Sequence, residues 1–361
     1  MENKTQRVYG IDLLKALCML MVVVLHILGH GGVLRNTAFA TGTYFVGWGI
    51  EIFCYPAVNC FAICTGYLLC QKKIEYKKLF SLWQIVFFYV ALILVLAIAF
   101  MPEKVTSKDF LSLFVVSSNA YWYFTAYVVV FLLAPFFNML IEKMSKEDFK
   151  RLLILGFVIF SALNIFGVEL DVFKTNNGYS PLWLIYLYFL GAGVKSHGFF
   201  TSIKKRTSAL LFLLSTAATY LIKIAASYFY NNGTLAQKSA SRLEEFVSYI
   251  SPFVLLSARF LVLFFLKLNV NKTGQKLLKL ISPLVFQVYI IHNNPFITKK
   301  FLYNAFENLG GASGIKTAAV TLFSAAIIFL FCIIIDYLRS LLFKAVKIEK
   351  LNDKLFKKIR R

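Results

Sequence analysis

The chain has 361 residues, of which 59% are hydrophobic and 16% charged, and its apolar runs recur from one end to the other. These properties exclude a soluble globular protein of this length and predict a protein that crosses a membrane many times. The formal net charge of +22 is compatible with nucleic-acid binding, so the positions of the charges have to decide what it means.

The predicted elements are apolar runs close to the length of about 20 residues that a helix needs to cross the hydrocarbon core. They predict an all-α fold, a polytopic bundle of about ten transmembrane helices. The predicted spans are residues 11–28, 45–70, 80–100, 121–141, 152–168, 181–194, 207–229, 246–266, 280–298 and 317–341.

The basic residues are distributed unevenly around these spans. If the N-terminus is cytoplasmic, 27 of the 39 Lys and Arg residues fall in cytoplasmic segments, nine in outer loops and three inside spans. The positive-inside rule therefore predicts that both termini are cytoplasmic. We expect residues 342–361 to form a basic cytoplasmic tail on anionic lipid, outside a transmembrane domain of residues 1–341, and we expect no nucleic-acid partner.

The first predicted span carries Asp12, Lys15 and His26. Charged groups are unfavourable inside a bilayer, so they need a bundle interior, a water-filled cavity or a ligand. Lys15 and His26 lie on one face of a helix, about 16 Å apart along its axis. This spacing predicts a path through the membrane with an ionisable group near each end. His30 lies one turn beyond His26, but no third ligand is near in the sequence, so no metal site is expected.

The second predicted span contains Glu51 near its outer end, and Pro56, which either kinks the helix or opens it toward a cavity. Four lysines follow the span on the predicted cytoplasmic side: Lys72, Lys73, Lys77 and Lys78. They either bind a polyphosphate or simply satisfy the positive-inside rule, and the sequence leaves both explanations open.

Later spans add further candidates. Trp122 and Tyr123 begin the fourth span, where an aromatic belt at the membrane interface accounts for them without a function. Arg259 falls near the middle of the eighth span and marks either a functional site or an ion pair within the bundle. His292 lies toward the outer end of the ninth span, at a depth comparable with His26. Two histidines at one depth are typical of an acid–base site, although the sequence does not show that their helices touch.

Four segments together resemble the acyltransferase 3 family of integral-membrane acyltransferases. They are RVYGIDLLKALCMLMVVVLH, VNCFAICTGYLL, YWYFTAYVVVFLLAPFFN and VYIIHNNPFI. The first is similar to the family's first-helix signature, a basic residue followed at a fixed interval by a histidine, here Lys15 and His26. NNGYSPLWLIYLYFLGAGVK is similar to members that decorate bacterial surface polysaccharides. The resemblance covers nearly the whole chain.

The resemblance implies transfer of an acyl group, usually acetyl from cytoplasmic acetyl-CoA, to a hydroxyl of an extracytoplasmic glycan or lipid-linked glycan at the bacterial plasma membrane. It implies that His26 is the catalytic base, that His292 is a second catalytic residue and that Lys15 lines the path of the thioester. Family members commonly hold the CoA phosphates with arginines after the second span. Here lysines stand there, which bind phosphate as point charges without the bidentate fork.

We therefore expect a site with a catalytic pair and a larger set of substrate-binding residues. The expected substrate-binding residues are Asp12, Lys15, Lys72, Lys73, Lys77, Lys78, Trp122, Tyr123, Arg259 and Asn293. The expected partners are acetyl-CoA, the glycan acceptor and membrane lipids, and the sequence is compatible with a homo-oligomer.

Two other functions fit the same residues. A transporter or flippase would use Asp12, Lys15 and Arg259 to line a solute path, with the histidines relaying protons. A ligand-sensing membrane module would keep the fold with a decayed site. Transfer of label from acetyl-CoA to a polymer distinguishes the enzyme from both.

Overall fold

The structure, a computed structural model, describes residues 7–167 and 169–359. Within these residues all regular secondary structure is helical, and there is no β-strand. The predicted fold class, an all-α polytopic bundle, is confirmed. The α-helices are α1 (Tyr9–Leu28), α2 (Gly42–Cys54), α3 (Ala57–Leu69), α4 (Tyr76–Phe100), α5 (Ser107–Leu111), α6 (Trp122–Lys143), α7 (Lys146–Phe157), α8 (Leu163–Phe166), α9 (Pro181–His197), α10 (Lys205–Asn231), α11 (Gln237–Glu244), α12 (Pro252–Leu266), α13 (Lys272–Ile281), α14 (Val285–His292), α15 (Pro295–Ile297), α16 (Gly314–Ala345) and α17 (Ile348–Ile359).

Eight helical segments of the described chain are long and apolar enough to cross a membrane. They correspond to the first five predicted spans and to the seventh, eighth and tenth. The sixth predicted span is α9, which has 17 residues, and the ninth is divided among short helices. Pro283 and Pro295 divide it, because proline lacks the N–H that a continuing helix needs. The number of spans and the side of the termini stay predictions.

The connections between the helices gather at two faces of the bundle. At one face, the ammonium of Lys267 donates to the carbonyl oxygen of Thr201 at 2.6 Å, which joins two predicted cytoplasmic segments. At the other, the main-chain N–H of Asn304 donates to the carbonyl oxygen of His30 at 3.0 Å, which joins two predicted outer loops. We call the first the basic face and the second the opposite face. The basic face contains the start of α1 and the segments 70–75, 144–145, 198–204, 267–271 and 346–359.

α1 is the central helix of the bundle. It contacts α2, α3, α12, α14 and α16. Leu14 and Val23 point in opposite directions around its axis, and each is 0% exposed. Because other helices surround α1, most of its surface faces protein and can accommodate polar side chains without contact with lipid.

The predicted basic tail forms α17, which packs on the first turns of α4 at the basic face. The amide of Asn352 donates to Oε1 of Gln84 at 2.6 Å. α16 continues to Ala345, so no helix boundary marks the division at residue 341, and that division stays a prediction. Residues 360–361 of the tail, residues 1–6 and residue 168 at the end of the fifth predicted span lie outside the described residues.

α3 and α9 approach closely through two glycines. A Cβ on Gly66 would lie 1.9 Å from the carbonyl oxygen of Tyr188, and a Cβ on Gly191 would lie 1.9 Å from the carbonyl oxygen of Ile63. Such distances are possible only without a side chain, and small residues at helix crossings are a general device of membrane proteins. The glycines therefore fix the separation of α3 and α9.

Substitution of Gly66 with alanine is expected to destabilise the fold by about 1–3 kcal/mol, because the added methyl forces the two backbones apart. The midpoint of heat denaturation, measured on the purified protein in lipid, should fall by several degrees. Gly311→Ala is the matched control, because a Cβ at that position meets no atom within 4 Å. Equal midpoints for the two variants would contradict the close-packing explanation.

Candidate active site

A cavity of about 340 Å³ lies beside the end of α1 that is nearer the opposite face. Its volume is at the small end of the range for ligand pockets, roughly 300–1,000 Å³. The residues of α1 and the following turn that line it are Met19, Val22, Leu25, His26, Gly29 and His30. Most of them recur at intervals of three or four, so they form one stripe of the helix, the stripe on which the spacing of Lys15 and His26 falls.

His26 and His292 are in direct contact, although 266 residues separate them in the chain. Nδ1 of His26 lies 2.9 Å from Nε2 of His292, and Nδ1 of His292 lies 2.5 Å from the carbonyl oxygen of Val288. His292 is 6% exposed and stands behind His26, away from the cavity lining. The structure therefore joins the two histidines that the sequence placed at one depth.

These contacts determine the tautomers of the two rings in their neutral forms. The carbonyl oxygen of Val288 only accepts, so Nδ1 of His292 carries the proton and donates to it. Nε2 of His292 then has a lone pair and accepts from Nδ1–H of His26. The remaining nitrogen of His26, Nε2, is therefore unprotonated. His26 lines the cavity, and its unprotonated Nε2 is able to act as a base there.

Local structure holds His292 in this position. His292 and Val288 are four residues apart in α14, so the helix itself places the ring over that carbonyl. The hydroxyl of Tyr121 donates to the carbonyl oxygen of Ile290 at 2.9 Å, and the amide of Asn294 donates to the hydroxyl of Tyr121 at 3.0 Å. Tyr121 thus ties the end of α14 to the start of α6.

Aromatic rings form one wall of the cavity. The ring centroids are 4.8 Å apart for Tyr55 and Tyr249, 4.9 Å for Tyr179 and Tyr249, and 4.6 Å for Trp122 and Tyr179. The amide of Asn59 donates to the carbonyl oxygen of Tyr249 at 2.8 Å and holds that residue in place. We call Tyr55, Trp122, Tyr179 and Tyr249 the aromatic cage.

His30 stands at the edge of the cavity, with its ring centroid 5.1 Å from that of His26. Burial lowers the pKa of His30, and the positive charge of Arg35 lowers it further. The ring is therefore neutral at pH 7 and adds no positive charge to the cavity. The described residues contain no group of three or more His, Cys, Asp or Glu arranged to hold a metal ion.

Trp122, Tyr123 and Asn293, which the sequence proposed as substrate-binding residues, line the same cavity as His26. Their substrate contacts stay predictions. They lie together because the start of α6, which carries Trp122 and Tyr123, and the end of α14, which Asn293 follows, both border the cavity.

The basic-face end of α1 is organised differently. Asp12 pairs with Arg7 at 2.5 Å and accepts from the hydroxyl of Ser282 at 2.9 Å, so its charge is compensated within the protein. Lys15 makes no hydrogen bond or ion pair with any residue in the described ranges. It lies on the stripe of His26, one turn below Met19, which is the lowest residue of α1 in the cavity lining. The role of Lys15 in a path to the basic face stays a prediction.

Arg259 lies away from the cavity. Its guanidinium carbon is 3.1 Å from the centroid of Phe200, which belongs to a connection at the basic face. Nη2 of Arg259 is buried and has no hydrogen-bond partner among the residues described. The structure therefore associates this arginine with the basic face, and its substrate-binding role stays a prediction.

The four lysines after α3 fall into two pairs. Lys77 forms an ion pair with Asp353 of α17, and Lys78 forms one with Glu75 at 2.7 Å. Lys72 and Lys73 have no carboxylate partner within the described part of the chain. Lys72 also lines a cleft of about 530 Å³ at the basic face. Two of the four charges are therefore available to an anionic ligand.

The sequence did not identify several residues of the cavity. Glu51 lines it, and its Oε2 is buried without a hydrogen-bond partner in the described structure. A carboxylate inside an apolar span is itself a signal for function, so the sequence alone could have identified Glu51 as a candidate site residue. Tyr55 and Tyr249 gave no such signal, because aromatic residues are common in membrane spans.

Comparison with known proteins identifies the family of the chain. A family model described as an acyltransferase domain matches residues 8–337. Searches of curated proteins and of solved structures found no match. Because the family match includes α1, the cavity and both histidines, the chain belongs to the acyltransferase 3 family and is a membrane acyltransferase.

Proposed function

We propose that the protein is an O-acetyltransferase of the bacterial plasma membrane. It moves the acetyl group of cytoplasmic acetyl-CoA to a hydroxyl of an extracytoplasmic glycan or lipid-linked glycan. The observation that carries this proposal is the hydrogen-bonded relay from Val288 through His292 to His26, because it ends at an unprotonated nitrogen beside a cavity. Membership of the family supports acyl transfer in general.

In the proposed reaction, the acceptor hydroxyl donates to Nε2 of His26. The ring takes the proton while the acceptor oxygen attacks the thioester carbonyl carbon. The C–S bond then breaks, and the CoA sulfur leaves with the proton that His26 returns. During these steps His26 carries a positive charge, and the hydrogen bond to His292 stabilises that charge and holds the ring in place. His292 is a positioning residue in this scheme.

An unprotonated Nε2 is also able to attack the thioester itself. That variant forms an acetyl-histidine, releases CoA and then transfers the acetyl group to the acceptor. Rapid mixing with acetyl-CoA in the absence of acceptor distinguishes the two, because only the covalent route leaves acetyl on His26.

The donor end of the proposed site lies at the basic face. Lys72 and Lys73 supply two uncompensated positive charges there, which suits the phosphates of CoA. Lys15 lies between this face and the cavity, about 6 Å along the helix axis from Met19. The thioester would pass this residue to reach His26.

Removing both free lysines, in the variant Lys72→Ala/Lys73→Ala, is expected to raise the KM for acetyl-CoA about tenfold, since charge-assisted hydrogen bonds to phosphate are lost. The kcat should change little because neither residue approaches the cavity. Steady-state kinetics with varied acetyl-CoA measures both constants. Lys143→Ala, an exposed lysine at the same face, is the control. An equal rise in KM for the control would contradict a specific phosphate site.

Membrane vesicles distinguish this function from the alternative of a transporter or flippase. Vesicles that contain the protein are incubated with acetyl-CoA labelled in the acetyl group, and the envelope polymer is isolated. The acetyltransferase predicts label in the polymer as an alkali-labile ester. Uptake of a polar solute without any labelled polymer would contradict it and favour transport.

A further inference from the structure

Glu51 gives the cavity a carboxyl group without a partner in the described residues. Among the described residues that line the cavity, Glu51 is the one carboxylate, and none is a lysine or arginine. Its Oε2 has no hydrogen-bond partner, and Glu51 takes part in no ion pair of the described chain. Neutral His30 at the cavity edge does not compensate it.

A carboxylate removed from water is unfavourable unless it meets a cation or several hydrogen-bond donors. The carboxylate that is fully buried elsewhere in the described chain meets that requirement. Asp336, which is 0% exposed, pairs with Arg339 at 2.8 Å and accepts from the hydroxyl of Tyr89 at 2.7 Å. Glu51 lacks such partners, so the missing partner is expected to arrive with the ligand.

The aromatic cage indicates what kind of partner this is. Tyr55 lies one helical turn beyond Glu51, and its ring packs on Tyr249 beside Tyr179 and Trp122. The faces of tyrosine and tryptophan rings attract cations, and several such rings around one position bind ammonium groups. A carboxylate and four electron-rich rings in one small cavity therefore match a positively charged nitrogen better than a neutral or anionic group.

We propose that the acceptor carries a cationic nitrogen close to the hydroxyl that is acylated, as in an amino sugar or a quaternary amino alcohol. Glu51 is the counter-ion of this nitrogen, and the rings of the aromatic cage lie against it from one wall of the cavity. The hydroxyl then reaches His26 across the same cavity. This inference rests on the proposed function, because it names the class of acceptor for that site.

Choline and 3,3-dimethylbutan-1-ol are the probes, because they have nearly the same shape and differ in the charge of one atom. Their binding to the purified protein in lipid nanodiscs is measured by calorimetry without acetyl-CoA. Choline should bind about tenfold more tightly or better, in line with cation–aromatic attraction in a desolvated site. Equal affinities for the two probes in the unmodified protein would overturn the proposal, whatever the variants show.

Variants of Glu51 then test whether this residue causes the preference for choline over the neutral probe. Glu51→Gln keeps the shape but removes the charge, so it should abolish most of the preference for choline, whereas Glu51→Asp should keep part of it. Glu103→Gln, an exposed carboxylate in an outer loop, is the control and should keep all of it. An undiminished preference in Glu51→Gln would also overturn the proposal.

A parallel assay separates this inference from the proposed function. Acetyl transfer from acetyl-CoA to envelope glycans is measured with the same preparation. Selective choline binding without any acetyl transfer would leave the cation site standing and contradict the acetyltransferase. Acetyl transfer together with equal binding of the two probes would support the acetyltransferase and contradict the cation site.

Discussion

Substitution of His26 with alanine is expected to lower the rate of acetyl transfer about 10²- to 10⁴-fold, because the acceptor hydroxyl loses its base. The initial rate from labelled acetyl-CoA, measured with purified protein in lipid, tests this expectation. The midpoint of heat denaturation should stay close to that of the unmodified protein, since the lost ring lies beside a cavity and not in a closely packed core. A rate close to that of the unmodified protein would remove His26 from the mechanism.

Added imidazole provides a control for the His26 variant. Alanine leaves space where the ring stood, so a free imidazole is expected to enter the cavity and restore part of the rate. Restoration would identify the lost group as a base. A His26→Ala variant that folds normally and gains no rate with imidazole would indicate that the side chain has a structural role instead.

Substitution of His292 with alanine is expected to lower kcat about 10- to 100-fold, which is the usual effect of removing a residue that orients and polarises a functional group. Nδ1 of His26 then lacks its acceptor, so the ring is free to rotate and to adopt the wrong tautomer. The KM for acetyl-CoA should stay nearly constant. A split between kcat and KM is the signature of a positioning role in the chemical step.

His292→Gln distinguishes positioning from packing. Its amide oxygen is able to accept from Nδ1–H of His26, so part of the lost kcat should return relative to His292→Ala. A loss in the glutamine variant larger than in the alanine variant, with unchanged heat stability, would show that His292 itself exchanges protons with the substrate.

The sequence predicted those features that depend on periodicity and on charge. Long apolar runs defined the helices, and the spacing of Lys15 and His26 defined the stripe of α1 that borders the cavity. The asymmetry of basic residues predicted a cytoplasmic and an outer set of connections, and Lys267 contacts Thr201 within the predicted cytoplasmic set. The sides of the membrane stay a prediction. These features follow from local spacing along a single helix or loop.

Features that depend on contacts between distant segments could not be predicted from the sequence. Proximity of His26 to His292 requires knowledge of how α1 and α14 pack, and the two histidines gave only a common depth. The aromatic cage takes its members from four separate segments. Ion pairs also reduce the number of lysines after α3 that are available to a ligand, because Asp353 in the tail pairs with Lys77. Local patterns carry no information on such pairings.

Sealed proteoliposomes show whether a donor at the basic face and an acceptor at the opposite face meet at His26. The protein is inserted with both termini outward, labelled acetyl-CoA is added outside, and envelope glycan is trapped inside. Labelled acetyl ester is expected on the trapped glycan with the unmodified protein, and none is expected with His26→Ala. Label that forms only when donor and acceptor share one side would contradict it.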